Sequence, residues 1–140
     1  MQISGRFAVA VHILTCIDYF QDSQNVTSEF VASSVNTNPV IIRQIISRLK
    51  AAGLVDVSRG VSGMRLSRPP ENITLYDVYA AVESVKGKLF RFHPNPNPKC
   101  PVGKNIHNAL GLYLDEIQES FEGNLKAVKL SDIISRITDD

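Results

Sequence analysis

Apolar residues return at helical spacing along most of the chain and alternate with polar ones in two short stretches. After Ser4, which has the side chain of an N-cap, Phe7, Val11, Leu14 and Ile17 recur every three or four residues. That spacing predicts a helix ending near Phe20, before the polar run 21–25. Thr27 marks a second N-cap, with Phe30, Val31 and Ser34-Val35 on a short buried face and Asn36-Thr37 as a turn. Asn38-Pro39 opens the best-signalled helix. Asn caps well, the fixed φ of proline suits the first helical position, and Gly53 stands where a left-handed residue closes a helix. Between Asn38 and Ala52, Ile41, Ile42, Ile45, Ile46 and Leu49 are expected to form one wide apolar stripe. Val40, Arg43, Gln44, Ser47 and Lys50 fall on the opposite face.

The stretches 54–58 and 64–67 alternate as half-buried strands do. Between them, Arg59-Gly60-Val61-Ser62-Gly63 supplies the glycines of a hairpin, and Pro69-Pro70 ends the ribbon. Thr74 and Asp77 make a capping-box start to a short helix through Val78, Ala81, Val82 and Val85. Alternating prolines make 86–98 a loop. Cys100-Pro101 begins a long amphipathic helix. Ile106, Leu110, Tyr113, Leu114, Ile117 and Phe121 run along one side, with Asp115, Glu116, Glu119 and Glu122 outside. A connector at 125–129 precedes a terminal turn through Ile133, Ile134 and Ile137. The predicted fold is mostly α with a small two-stranded β wing: a winged helix-turn-helix over 1–85, a linker over 86–99, and a dimerisation helix with a C-terminal turn over 100–140.

Composition narrows the function. At 140 residues, 44% apolar and 21% charged, the chain can bury one ordinary core. No apolar run approaches the roughly 20 residues that span a bilayer, and the N-terminus lacks a secretory pattern. Its two cysteines, Cys16 and Cys100, form no disulfide framework. A cytoplasmic protein without membrane contact is expected. Net charge is only +1, but its distribution is uneven. Residues 36–70 hold six basic side chains (Arg43, Arg48, Lys50, Arg59, Arg65, Arg68) against Asp56 alone, as a phosphate-facing surface would require.

In a helix-turn-helix the second helix enters the major groove and reads bases with its N-terminal half. Here that half presents Asn38, Val40, Arg43, Gln44 and Ser47; Arg43 suits guanine and Gln44 adenine. Thr27 and Ser28 are placed to hold phosphate, and Arg59 with Ser62 in the wing to reach backbone or minor groove. Arg6, at the start of the first helix, completes the expected set. Double-stranded DNA and a second copy of the chain are the expected partners. The sequence contains no P-loop, no G-x-S-x-G, no H-E-x-x-H and no paired Cys-x-x-Cys, so no enzyme signature competes.

The run NPVIIRQIISRLKAAGLVDVSRGVSGMRLSRPPENITLYDVYAAVE resembles the IscR/NsrR-type family of bacterial winged-helix transcriptional regulators. The terminal segments ISGRFAVAVHIL and AVKLSDII extend the likeness over nearly the whole chain. The resemblance implies a homodimer, formed by the long helix after Cys100, that binds a roughly palindromic operator and usually represses. Two departures matter. Members that sense iron–sulfur status or nitric oxide carry three clustered cysteines before the long helix, where this chain has Cys100 alone. It is closer to the YwnA-like branch, and neither cofactor nor metal is expected. The position of Arg43 is commonly acidic in the family, so the operator sequence does not carry over.

For the signal, Cys100 stands at a predicted helix N-terminus beside Lys99 and one turn from Lys104. Both features favour a reactive, redox-responsive thiolate. Cys16, among Ile13, Leu14 and Ile17, reads as an inert core residue, and the His12/Cys16 pair as a weak metal signal. Tyr76, Tyr79, Phe90 and Phe92 offer walls for a pocket between the DNA-binding body and the long helix. Two alternatives stay open: a small-molecule-responsive regulator of this architecture, and a winged-helix module that binds protein.

Overall fold

A computed structural model describes residues 5–57, 63–83 and 89–137. Its order is α1 (Gly5–Phe20), α2 (Ser28–Val35), α3 (Pro39–Ala51), β1 (Val55–Asp56), β2 (Arg65–Leu66), a 3-10 turn (Pro70–Asn72), α4 (Leu75–Val82), α5 (Pro101–Lys126) and α6 (Leu130–Ile134). The strands are antiparallel, Val55 opposite Leu66 and Asp56 opposite Arg65. This is the mostly helical winged helix-turn-helix expected. The ladder is shorter than the alternating runs foretold, and the hairpin tip with Arg59 and Ser62 lies outside the described residues, as do Ser4 and Val85.

Local chemistry sets the helix ends. Thr27 Oγ1 accepts from Phe30 N at 3.1 Å to start α2, and Asn36, left-handed at φ 63°, ends it. Asn38 Oδ1 accepts from Val40 N at 2.8 Å, with Pro39 in the first turn of α3. Gly53 closes α3 at φ 78°, where Gly53 N bonds Lys50 O and Leu54 N bonds Leu49 O. Thr74 and Asp77 exchange both bonds of a capping box on α4. Gly63 is needed for two reasons: φ is +95°, and a Cβ there would lie 2.7 Å from Val26 N. That close approach lets Met64 N bond Val26 O at 2.8 Å and ties the wing base to the segment before α2.

The core gathers Ile13, Leu14 and Ile17 of α1, Val31 of α2, Ile42, Ile45 and Leu49 of α3, Leu54 and Val55 after it, and Val78 and Val82 of α4. Ile41 does not join them; it is 45% exposed. At 100° per residue it stands about 90° from the centre of the 42/45/46/49 stripe, beyond the reach of the core.

The C-terminus departs from the expected plan. The stretch after α5 returns to the body: Leu75 N bonds Val128 O at 2.9 Å, Leu130 N bonds Ile73 O at 2.8 Å, and Leu130 is fully buried in the core. α6 packs on α1 and on the 3-10 turn. The final turn therefore belongs structurally to the winged-helix body. Periodicity could not show this, because an apolar turn does not reveal which distant element it packs against.

α5 buries no residue completely, and it carries two adjacent apolar faces. One meets its own chain. Phe121 stacks edge-on to Tyr79 (5.5 Å), Lys126 Nζ sits 4.6 Å above the Tyr76 ring, and Leu114 closes a void of about 20 Å³ with Phe90 and Phe92. The loop before α5 is laid along this face: Leu89 N donates to Gln118 Oε1 at 2.8 Å, and Phe92 lies 4.5 Å from the His107 ring. The pocket expected among Tyr76, Tyr79, Phe90 and Phe92 is thus filled by packing. The other face stays open, with Val102, Leu110, Tyr113 and Ile117 exposed by 69, 41, 66 and 49%. No described helix is long and apolar enough to cross a membrane.

Candidate nucleic-acid interface

The N-terminus of α2, the polar face of α3 and the base of the wing enclose an open groove of about 400 Å³. Thr27, Ser28, Arg43, Ser47 and Lys50 line its polar side; Val57, Gly63 and Met64 line the wing side. Four residues expected from sequence to touch DNA therefore meet in one place, and Lys50 joins them. Val40 is 52% exposed on the outer face of α3, where a thymine methyl would find an apolar contact, and Gln44 is exposed beside it. Asn38 is spent on its cap.

The arginines divide into two groups. Arg43 Nη2 pairs with Glu29 Oε1 at 3.1 Å, both side chains in solvent. Ser28 Oγ donates to the other Glu29 oxygen at 3.2 Å. The Glu29 carboxyl is held below its ordinary value by its own backbone amide, then by Arg43 and Ser28. Glu29 was not singled out in the sequence; a carboxylate in the first turn of α2 was a signal available for it. By contrast, Arg48 donates to Val82 O (2.9 Å), Arg65 to Gln21 O (3.0 Å) and Asp22 (2.7 Å), and Arg68 to Asn72 O (2.9 Å) and Asp77 (3.0 Å). Three of the six basic residues in the stretch 36–70 thus already bond their own chain, although the Arg65 and Arg68 side chains stay 52% and 38% exposed. Arg6 lies 3.9 Å from Glu83 at the end of α4 and does not line the groove.

Carboxylate and phosphate are rivals for the same guanidinium. Exchanging Glu29 for Gln should therefore raise DNA affinity roughly two- to fivefold in a binding titration, the scale of a surface ion pair.

Cys100 caps α5 and is exposed. Its thiol pKa is lowered by the backbone amides of Gly103 and Val102, the open N–H groups of the helix start, and not by the neighbouring lysines. A lowered pKa keeps the thiolate populated at lower pH. The iodoacetamide reaction rate of Cys100, plotted against pH, should reach half-maximum below that of free cysteine and exceed it at neutral pH; a coincident midpoint would contradict the assignment. Cys16 is buried elsewhere, in α1. Among the described residues no three His, Cys, Asp or Glu side chains come together to hold a metal ion.

The sequence profile of the Rrf2 family, described as "Iron-dependent Transcriptional regulator", matches residues 3–136. YwnA of Bacillus subtilis (strain 168), named as an inferred HTH-type transcriptional regulator, is 43% identical over 135 residues, covering 96% of this chain and 98% of YwnA. A crystal structure titled as that of an inferred DNA-binding protein superposes with a TM-score of 0.74 at 41% identity, covering 92% of this chain and 98% of that one. CymR (YrzC), the global cysteine regulator of B. subtilis, shares the fold at a TM-score of 0.74 and 20% identity, covering 99% of each chain.

Proposed function

The chain belongs to the Rrf2 family of transcriptional regulators and is not an enzyme; from that premise we propose that it is a sequence-specific DNA-binding repressor acting as a homodimer on a palindromic operator. The observation that carries this reading is the groove in which Thr27, Ser28, Arg43, Ser47 and Lys50 converge at a helix N-terminus. The Thr27 and Ser28 hydroxyls at the start of α2 suit a phosphate oxygen, while α3 offers Val40, Arg43 and Gln44 to base edges. Arg43, once released by Glu29, forks onto guanine; Lys50 neutralises backbone. The open stripe of α5 pairs two copies, so that two α3 helices enter the major groove about one helical turn apart. Cys100, exposed with a lowered thiol pKa, is the thiol through which redox state would reach α5. Because Cys100 is the one cysteine in the segment before α5, the reading includes no iron–sulfur cluster, and no step is assigned to iron.

A gel shift with DNA upstream of its own gene tests the assignment. Arg43→Ala should lose discrimination by roughly 1–3 kcal/mol at one base pair, while Lys50→Ala should weaken binding to all sequences alike. Parent-like binding by both variants would remove the groove from consideration.

A further inference from the structure

A second cavity, of about 550 Å³, opens between α1, the end of α2 and α6, on residues that the DNA groove does not use. Its walls are mainly apolar, with Val11, Phe20, Ile133 and Ile137 among them. One edge carries three polar side chains in series. The Cys16 thiol donates to Ser34 Oγ at 3.2 Å, and Ser34 Oγ lies 2.9 Å from His12 Nε2. Two helices supply this series: His12 and Cys16 lie one turn apart on α1, and Ser34 reaches across from α2. Cys16, only 5% exposed, is a core residue as expected, and it also stands on the cavity wall at the head of this series.

We propose that this cavity is the effector site and that it takes a compact, largely apolar α,β-unsaturated carbonyl compound, which Cys16 captures. The cavity volume and lining suit a molecule with an apolar body and one polar end. The thiol proton passes through the Ser34 hydroxyl to His12 Nε2, leaving a thiolate beside an imidazolium. Sulfur forms a bond to the β-carbon, the carbon–carbon π pair moves toward the carbonyl, and the proton held by His12 returns to the α-carbon. No oxidant or reductant enters. Capture would be felt at the DNA groove through α2, a single eight-residue helix about 12 Å long. Ser34 lines the cavity near one end of α2, and Ser28 lines the groove at the other. This regulatory half rests on the DNA-binding reading above; the chemistry at Cys16 does not.

The test uses the full chain with Cys100→Ser, so that Cys16 is the remaining thiol. After treatment with cinnamaldehyde at neutral pH and then borohydride, the Cys16 peptide should gain one adduct by peptide mass, counted apart from the lysine imines that borohydride fixes as amines. Acrylamide, a polar acceptor, should react less readily, relative to cinnamaldehyde, than it does with free cysteine. Ser34→Ala and His12→Gln, each added separately, should slow the addition tenfold or more while keeping the parent's circular dichroism. Cinnamaldehyde should release operator DNA from the Cys100→Ser protein and leave it bound by the Cys16→Ser, Cys100→Ser protein. An unmodified Cys16, or a rate indifferent to both Ser34 and His12, overturns the site. An adduct that leaves DNA bound overturns its regulatory role. If the untreated protein never retains DNA, the DNA-binding reading fails, and the adduct measurement still judges the cavity chemistry.

Discussion

With Tyr113 and Ile117 both changed to aspartate, the protein should sediment as a monomer, and its affinity for a two-half-site operator should fall more than a hundredfold. Val102, Ile106, Leu110, Tyr113 and Ile117 follow one another at intervals of four, four, three and four, so they make a single stripe down α5. The faces beside it differ in kind. Leu114 and Phe121 are already packed against Phe90, Phe92 and Tyr79 of the same chain, so changing them would damage the fold as well as any partner contact. Tyr113 is 66% exposed and Ile117 49%, so charge there costs the lone subunit little. In a paired seam, two copies would bring four carboxylates together without water. A half-site bound by one subunit forfeits the second anchoring event, which accounts for the size of the expected loss. Analytical ultracentrifugation and a titration with single and double half-sites check both parts; an intact dimer would place the subunit contact elsewhere.

Leu130→Ala should be the most damaging single change outside α1 to α4, lowering stability by about 2–5 kcal/mol. Leu130 is fully buried, and its main chain and that of Val128 bond Ile73 and Leu75 on either side of the Thr74–Lys129 bridge. Truncation there leaves a void beneath α6 that backbone bonds on both flanks keep from collapsing. At roughly 2–4 °C per kcal/mol for a chain near this size, thermal unfolding should move down by on the order of 10 °C. Ile137→Ala, at a position 47% exposed, should shift it by far less. Equal shifts would mean that the terminal segment is not part of the cooperative unit.

The body was legible because its signals are local. Thr27, Asn38-Pro39, Gly53 and the Thr74/Asp77 box each mark an element end through a bond made within a few residues. The groove was legible for a related reason: Arg43 and Ser47 share a helix face by periodicity alone. What escaped depends on distant partners. The bonds of Arg48 and Arg65 to the chain are decided by Val82 and Gln21, 34 and 44 positions away. Glu29 faces Arg43 only once α2 and α3 are packed, and Ser34 meets Cys16 only across two helices. Ile41 failed for a narrower reason, since an apolar residue at the border of a stripe goes wherever the neighbouring helix stops.

The arginines already engaged by their own chain bear on how such a protein would find its target in a genome. Each cation paired with its own chain would have to give up that contact before displacing counterions from arbitrary duplex, so attraction to unrelated DNA would be weaker than the count of basic residues implies. A regulator made this way would spend less time parked on bulk chromosome. Its occupancy of an operator then rests on the few side chains that recognise bases and not on sheer electrostatic adhesion.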